Sequence, residues 1–158
     1  MRCRLEALSQ QLDLGSNVRF LGGLTQSEVA DVYMHSDIFV LPSIVTASGE
    51  EENQSVALAE AQACGLPVVA TRIGGNVESV RQGETGLLVP PRDPDALASA
   101  IGWLAERPEG RVRMGQLGRA HIEKHYDLEK LNRQLLEVYD VVTRSHWERQ
   151  KQALADRT

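Results

Sequence analysis

The chain alternates short apolar runs with amphipathic stretches. Leu5, Leu8 and Leu12 recur at helical spacing over residues 4–14, and Gly15 closes the pattern. Residues 18–21 read as a short strand between Asn17 and Gly22-Gly23. Thr25-Gln26-Ser27-Glu28 is a capping box, in which threonine and glutamate oxygens each satisfy a backbone donor at a helix start. That helix turns Val29, Val32 and Tyr33 inward and ends near Ser36. Ile38-Phe39-Val40-Leu41 is continuously apolar, the pattern of a parallel strand buried on both faces. Residues 55–64 form a small-sided helix of Ala57, Ala59, Ala61 and Ala63 with Val56 and Leu58, able to lie close on a sheet. Strands at 67–71 and 86–89 follow, with a short helix at 76–82 between them. Pro90-Pro91 stops the last strand, Asp93 or Asp95 opens a helix through Leu104, and Pro108 ends it. Residues 109–125 read as helical, although Gly115 and Gly118 lower the propensity. Asp127 begins a final helix with Leu128, Leu131, Leu135, Val138, Val141 and Val142 on one face. From His146 the chain turns polar, so residues 146–158 are expected to fray.

Strands alternating with helices predict an α/β fold with a parallel sheet and helices on both faces. Ligands of such sheets bind beyond the carboxyl ends of the strands. Three loops belong there: Gly22-Gly23, residues 43–54, and residues 72–76 with Gly74-Gly75. The second runs through Glu50, Glu51, Glu52, Asn53 and Gln54 into the helix that opens at Ser55. Free N–H groups at a helix start bind anions, phosphate above all. Glu60 lies roughly 7–9 Å from that start at about 1.5 Å per residue, placed to accept bonds from a ribose diol. Glu52, eight positions earlier, is placed to take a second polyol. Phosphate, ribose and sugar together describe a nucleotide-sugar.

Plainer readings compete. The acidic run suits a solvated segment that favours the helix dipole, and spacing alone prefers that reading. Glu60 could face water, Gly74-Gly75 could be only a turn, and Cys64 an inert small hydrophobe. His121 and His125 share a helix face but lack the His-Glu-x-x-His order, so no metal is assigned.

Composition narrows the classes. The 158 residues amount to one domain, and 4% aromatics make the core aliphatic. A net charge of −5 without a Lys/Arg block excludes nucleic acid as the main partner. Cys3 and Cys64 fit no disulfide or metal spacing, which points to reduced thiols in the cytoplasm. No apolar run is long enough to span a membrane, and the first residues do not form a signal peptide. Neither Gly-x4-Gly-Lys nor a post-strand Gly-x-Gly-x-x-Gly occurs, which argues against an NTPase or a nicotinamide dehydrogenase.

Taken together, several motifs resemble one family. They are Phe39-Val40-Leu41-Pro42-Ser43, Glu52-x7-Glu60, residues 61–71 (AQACGLPVVAT), Gly74-Gly75, Glu78, and Gly83-x-Thr85-Gly86-Leu87-Leu88-Val89. Over residues 5–139 the chain resembles the C-terminal, donor-binding half of retaining glycosyltransferases of GT-B fold, glycosyltransferase family 4, group 1. The resemblance implies a Rossmann-like parallel sheet flanked by helices, without the first two strands of that domain. It implies that Glu52 approaches the transferred sugar as the catalytic carboxylate and that Glu60 holds the ribose hydroxyls. Backbone groups of Asn53, Gln54, Ser55 and Val56 would contact sugar and diphosphate, and Leu21 and Gly22 would lie near the base. The family usually carries Gly, and Pro or Gly, where this chain has Asn53 and Ser55. The donor would be UDP- or GDP-linked, with no cofactor and no metal.

By the same resemblance, residues 1–145 form an incomplete donor domain, partnered in the family by an N-terminal acceptor domain through which peripheral membrane association would arise. The expected function is the donor-binding part of a glycosyltransferase serving a glycan or lipid-linked saccharide, inactive alone. The alternative is a non-catalytic nucleotide-sugar binding or interaction domain. Two strands that normally lie between residues 18–21 and 38–41 have no counterpart, so residues 18–21 are expected to pair against 38–41 or with a second copy, giving a homodimer.

Overall fold

A computed structural model of the chain describes residues 2–46, 48, 49 and 55–155, with side chains as far as Arg144. Two compact units result, Met1–Val32 and Tyr33–Thr158.

The first unit holds helix α1 (Arg2–Gln11), a 3-10 turn at Gly15–Asn17 and most of helix α2 (Gln26–Met34). The chain leaves α1 through Asp13 and Gly15, both in the left-handed region at φ 51° and 47°. The capping box forms as read. The Glu28 carboxylate accepts from the Thr25 backbone N–H at 2.7 Å, and the Thr25 hydroxyl accepts from the Glu28 N–H at 3.4 Å. The bond from the Thr25 backbone N–H, joined by one that the Thr25 hydroxyl donates at 2.8 Å, holds the Glu28 carboxyl below its ordinary range.

Residues 18–21 correct the sequence expectation. They take no strand conformation, and Val18 and Leu21 are exposed. No strand lies within the first unit to pair with them. An isolated four-residue extended segment meets its backbone hydrogen bonds in water at less cost than in an unpartnered strand.

The second unit is built on a parallel sheet ordered β1-β2-β3, with β1 at Phe39–Leu41, β2 at Val68–Thr71 and β3 at Gly86–Val89. Phe39 stands opposite Val68, and Val68 opposite Gly86. Complete burial belongs to β2, whereas β1 is only half-buried along its length. β1 stands at one edge of the sheet, and the expected partner at 18–21 does not extend the sheet beyond it.

Helices α3 (Val56–Ala63), α4 (Asn76–Ser79), α5 (Pro94–Ala105), α6 (Pro108–His125) and α7 (Leu128–Ala155) complete the unit. The backbone stays helical through the polar stretch beyond His146 as far as Ala155. The core divides by face of the sheet. Leu58 and Ala61 of α3 pack with Leu66, Val68, Ala70, Val80 and Leu88 on one side, where Tyr33, Phe39 and Leu41 join them. Val69, Val89, Leu104 and Met114 form the other side, with Leu97 and Ile101 of α5. Gln62 is wholly buried, and its amide donates to the Ser79 carbonyl at 3.1 Å, tying α3 to α4.

Between the two candidates for the start of α5, the structure selects Asp93, whose carboxylate accepts from the Ala96 N–H at 2.9 Å with Pro94 in the first turn. Asp93→Ala is expected to lower stability by about 1 kcal/mol, seen as a lower urea midpoint at an unchanged slope. An unchanged midpoint would show that the cap contributes nothing.

Gly115 and Gly118 do not interrupt α6. A Cβ on Gly115 would sit 1.9 Å from the Gly65 carbonyl oxygen, so this glycine is where α6 touches the turn that leads into β2. Helix propensity is given up there for a backbone-to-backbone approach that only glycine permits.

Candidate functional site

The carboxyl ends of β1, β2 and β3 open onto one edge, and the loops leaving them are tied to each other. The Thr71 hydroxyl donates to the Ser43 carbonyl at 2.6 Å, joining the loop after β1 to the end of β2. The Arg92 guanidinium donates to the Val45 carbonyl at 3.0 Å, reaching the same loop from beyond β3. Arg92 itself adopts φ 60°, a left-handed backbone uncommon outside glycine, asparagine and aspartate. After β2, the loop turns at Gly74, φ 43°, and enters Asn76. Asn76 is fully buried, and its amide nitrogen donates to the Thr71 carbonyl at 3.0 Å. Its side-chain oxygen has no partner among the described residues.

A cleft of about 210 Å³ lies along this edge, lined by Pro42, Ile44, Thr71, Pro90, Arg92 and Asp93. It is smaller than pockets that enclose a drug-sized ligand, which run from about 300 Å³ upward. Glu60, Ser55 and Val56 do not line it.

Those three residues are brought together by α3 on the opposite face of the sheet from α5. Ser55 caps the helix: its hydroxyl accepts from the Leu58 N–H at 3.3 Å, and the residue is 4% exposed. Val56 follows it at 69% exposed, whereas Leu58 in the same turn is wholly buried. Leu58, Ala61 and Gln62 face inward, which leaves Glu60 half-buried at the margin of that inner face. No hydrogen bond or ion pair to the Glu60 carboxylate is present among the described residues. Its nearest electrostatic effect falls on Tyr33. Burial raises the Tyr33 phenol above its ordinary value, and the negative charge of Glu60 raises it further. Tyr33 also meets Phe39 edge-on at 5.6 Å. Its helical spacing marks Tyr33 as inward-facing, but its place beside Glu60 appears only in three dimensions.

Glu52, Asn53 and Gln54 lie outside the described residues. Leu21 and Gly22 belong to the unit Met1–Val32, where Gly22 turns at φ 75°. Among the described residues no helix is long and apolar enough to cross a membrane.

Known proteins extend this geometry. Residues 1–121 match the family described as glycosyl transferases group 1. Over 135 residues the chain is 37% identical to the D-inositol 3-phosphate glycosyltransferase of Corynebacterium urealyticum, covering 85% of this chain and 30% of that protein. Sucrose-phosphate synthase from Thermosynechococcus elongatus superposes with a TM-score of 0.81 at 33% identity, over 91% of this chain and 35% of the synthase. The Anabaena protein HepE, solved in complex with UDP-glucose, superposes with a TM-score of 0.76 at 25% identity, over 87% of this chain and 36% of HepE. The chain therefore spans about a third of the length of the proteins it matches.

Proposed function

This chain belongs to the glycosyl transferases group 1, and from that premise we propose that it is the donor-binding part of a retaining hexosyltransferase that moves a sugar from a nucleotide-sugar to a glycan or lipid-linked saccharide. The observation that carries the reading is the likeness over 87% of the chain to a protein solved with UDP-glucose. The local chemistry on α3 supports it. A helix start capped by Ser55 suits a diphosphate. A carboxylate without a described partner, Glu60, suits a ribose diol further along the same helix.

In this reading Glu60 anchors the nucleoside, and backbone groups of Asn53, Gln54, Ser55 and Val56 meet sugar and diphosphate. Glu52 orients the donor sugar and supports charge developing at its anomeric carbon. Leu21 and Gly22 lie near the base. The reaction runs in the cytoplasm without cofactor or metal, and the acceptor side comes from an N-terminal domain, through which the enzyme associates peripherally with a membrane. Calorimetric titration with UDP, GDP and their sugars tests the binding claim: saturable heat from one of the two series is expected, and none from either would overturn it.

The chain by itself is expected to transfer no sugar. In this reading the acceptor is held by the N-terminal domain, and positioning it in line with the donor supplies much of the rate. Mass spectrometry across a panel of donors and acceptors checks this, and any transfer product would refute it. The second reading is a non-catalytic nucleotide-sugar binding or interaction domain. Fusing to the chain the part of the corynebacterial relative that it does not match separates the two, since only a catalytic donor domain would regain transfer.

A further inference from the structure

The amino edge of the sheet, opposite the edge used above, carries a second constellation. The segment entering β3 and the last turns of α6 enclose a pocket of about 180 Å³. Arg81, Glu84 and Thr85 line it from the segment, and His121, Lys124 and His125 from the helix. In a chain with a net charge of −5, this wall gathers two permanent cations and two imidazoles against one carboxylate. That carboxylate, on Glu84, stands 3.9 Å from Arg81 with both side chains more than half exposed, so the pair is weak.

Two groups in the wall are not fully paired among the described residues. Both ring nitrogens of His121 are shielded from solvent with no hydrogen bond among the described residues. Thr85 is 2% exposed, and its hydroxyl oxygen accepts from the Arg81 N–H at 2.9 Å. The hydroxyl proton then has no described acceptor. Burial lowers the His121 imidazole below its ordinary value, and the charges of Arg81, His125 and Lys124 lower it further. The His125 ring lies 4.8 Å from that of His121.

We propose that this pocket binds a phosphate group, held by the Arg81 guanidinium, the Lys124 ammonium and the Thr85 hydroxyl. Arginine matches phosphate with a planar fork of donors, and lysine supplies a point charge. A metal ion suits the wall less well. No group of three ligating side chains exists among the described residues, and two fixed cations repel a divalent ion. The site is separate from the donor site and does not depend on that reading.

The imidazole C–H resonances of His121 and His125 report occupancy directly. Inorganic phosphate titrated into the chain at constant ionic strength is expected to shift both saturably, with a Kd on the order of 1 mM. Arg81→Gln and Lys124→Gln are each expected to raise that Kd about tenfold, with circular dichroism and melting temperature unchanged. Should one variant unfold, the other decides. A second arm separates the sources of the group. Sedimentation with phosphatidylcholine vesicles carrying phosphatidic acid, lost in Arg81→Gln, identifies a lipid headgroup, whereas saturation by phosphate without vesicle binding identifies a soluble ligand. Either result supports the site. A non-saturable shift, an equal shift with chloride, equal affinity in both variants, or a response to zinc chloride but not phosphate would overturn it.

Discussion

Replacing Glu60 by alanine is expected to weaken binding of the nucleoside diphosphate or its sugar by at least tenfold while leaving the fold intact. A carboxylate that accepts from both hydroxyls of a ribose makes two charge-assisted hydrogen bonds, each worth about 1.5–3 kcal/mol. Partial exposure of Glu60 and competition from water place the result toward the lower end of that range. Stability should be spared, because no described residue pairs with this carboxylate and its removal strands no buried cation. Tyr33 supplies an internal control. With the negative charge gone, the Tyr33 phenol is expected to titrate lower than in the parent chain, yet still above its ordinary value because burial is its larger cause. Spectrophotometric titration of tyrosinate follows that change. An unchanged affinity together with a shifted Tyr33 would show that the substitution took effect and that Glu60 has no ribose role.

Gly115→Ala is expected to be the most destabilising single methyl addition in the second unit. The new Cβ would meet the Gly65 carbonyl oxygen at 1.9 Å and its carbon at 2.8 Å. Both are backbone atoms, so relief requires α6 or the 65–67 turn to move as a body, and overpacking of this kind costs about 1–3 kcal/mol, occasionally more. Gly102→Ala, inside α5 with nothing within 4 Å of the added carbon, makes the matched control. There the methyl is expected to stabilise by about 0.5–1 kcal/mol, since glycine in a helix interior loses more freedom on folding. Urea titration of the two variants should move the midpoints in opposite directions. Equal midpoints would mean that α6 does not rest on the Gly65 turn. Helix α6 also packs on α3, so a displaced α6 is expected to loosen the helix that carries Ser55 and Glu60 and to reduce nucleotide affinity in parallel.

Several elements were legible in the residues because their determinants are local. The Thr25–Glu28 box satisfies two donors within four residues, and no distant partner is needed to form it. Asp93 and Ser55 cap their helices through bonds to residues three positions on. The strands at 68–71 and 86–89 follow from short apolar runs between turn residues, and the alternation of strand and helix was enough to call for a parallel α/β sheet. The reading of Ser55, Val56 and Glu60 as neighbours on one helix is equally local, since spacing along a helix fixes which side chains stand together.

Other features depended on partners remote in the chain. Residues 18–21 have the composition of a strand, but a strand exists only with a neighbour to accept its hydrogen bonds, and the sequence does not say which neighbours are present. The apolar run at 38–41 promised burial on both faces, yet β1, at one edge of the sheet, is only half-buried. Gly115 and Gly118 counted against a helix by propensity, whereas a close backbone crossing some fifty residues away in sequence explains the first of them. Tyr33 came to Glu60, and Arg81 to His121, through packing that no spacing rule encodes. By itself, then, the sequence determined most of the helices, the caps at Thr25 and Ser55, and the residues α3 carries, because these rest on contacts within a few positions. Tertiary structure alone decided which strands find partners, which glycines are contacts rather than breaks, and which charges converge at the amino edge. Those outcomes depend on distances in space between residues that the chain keeps far apart.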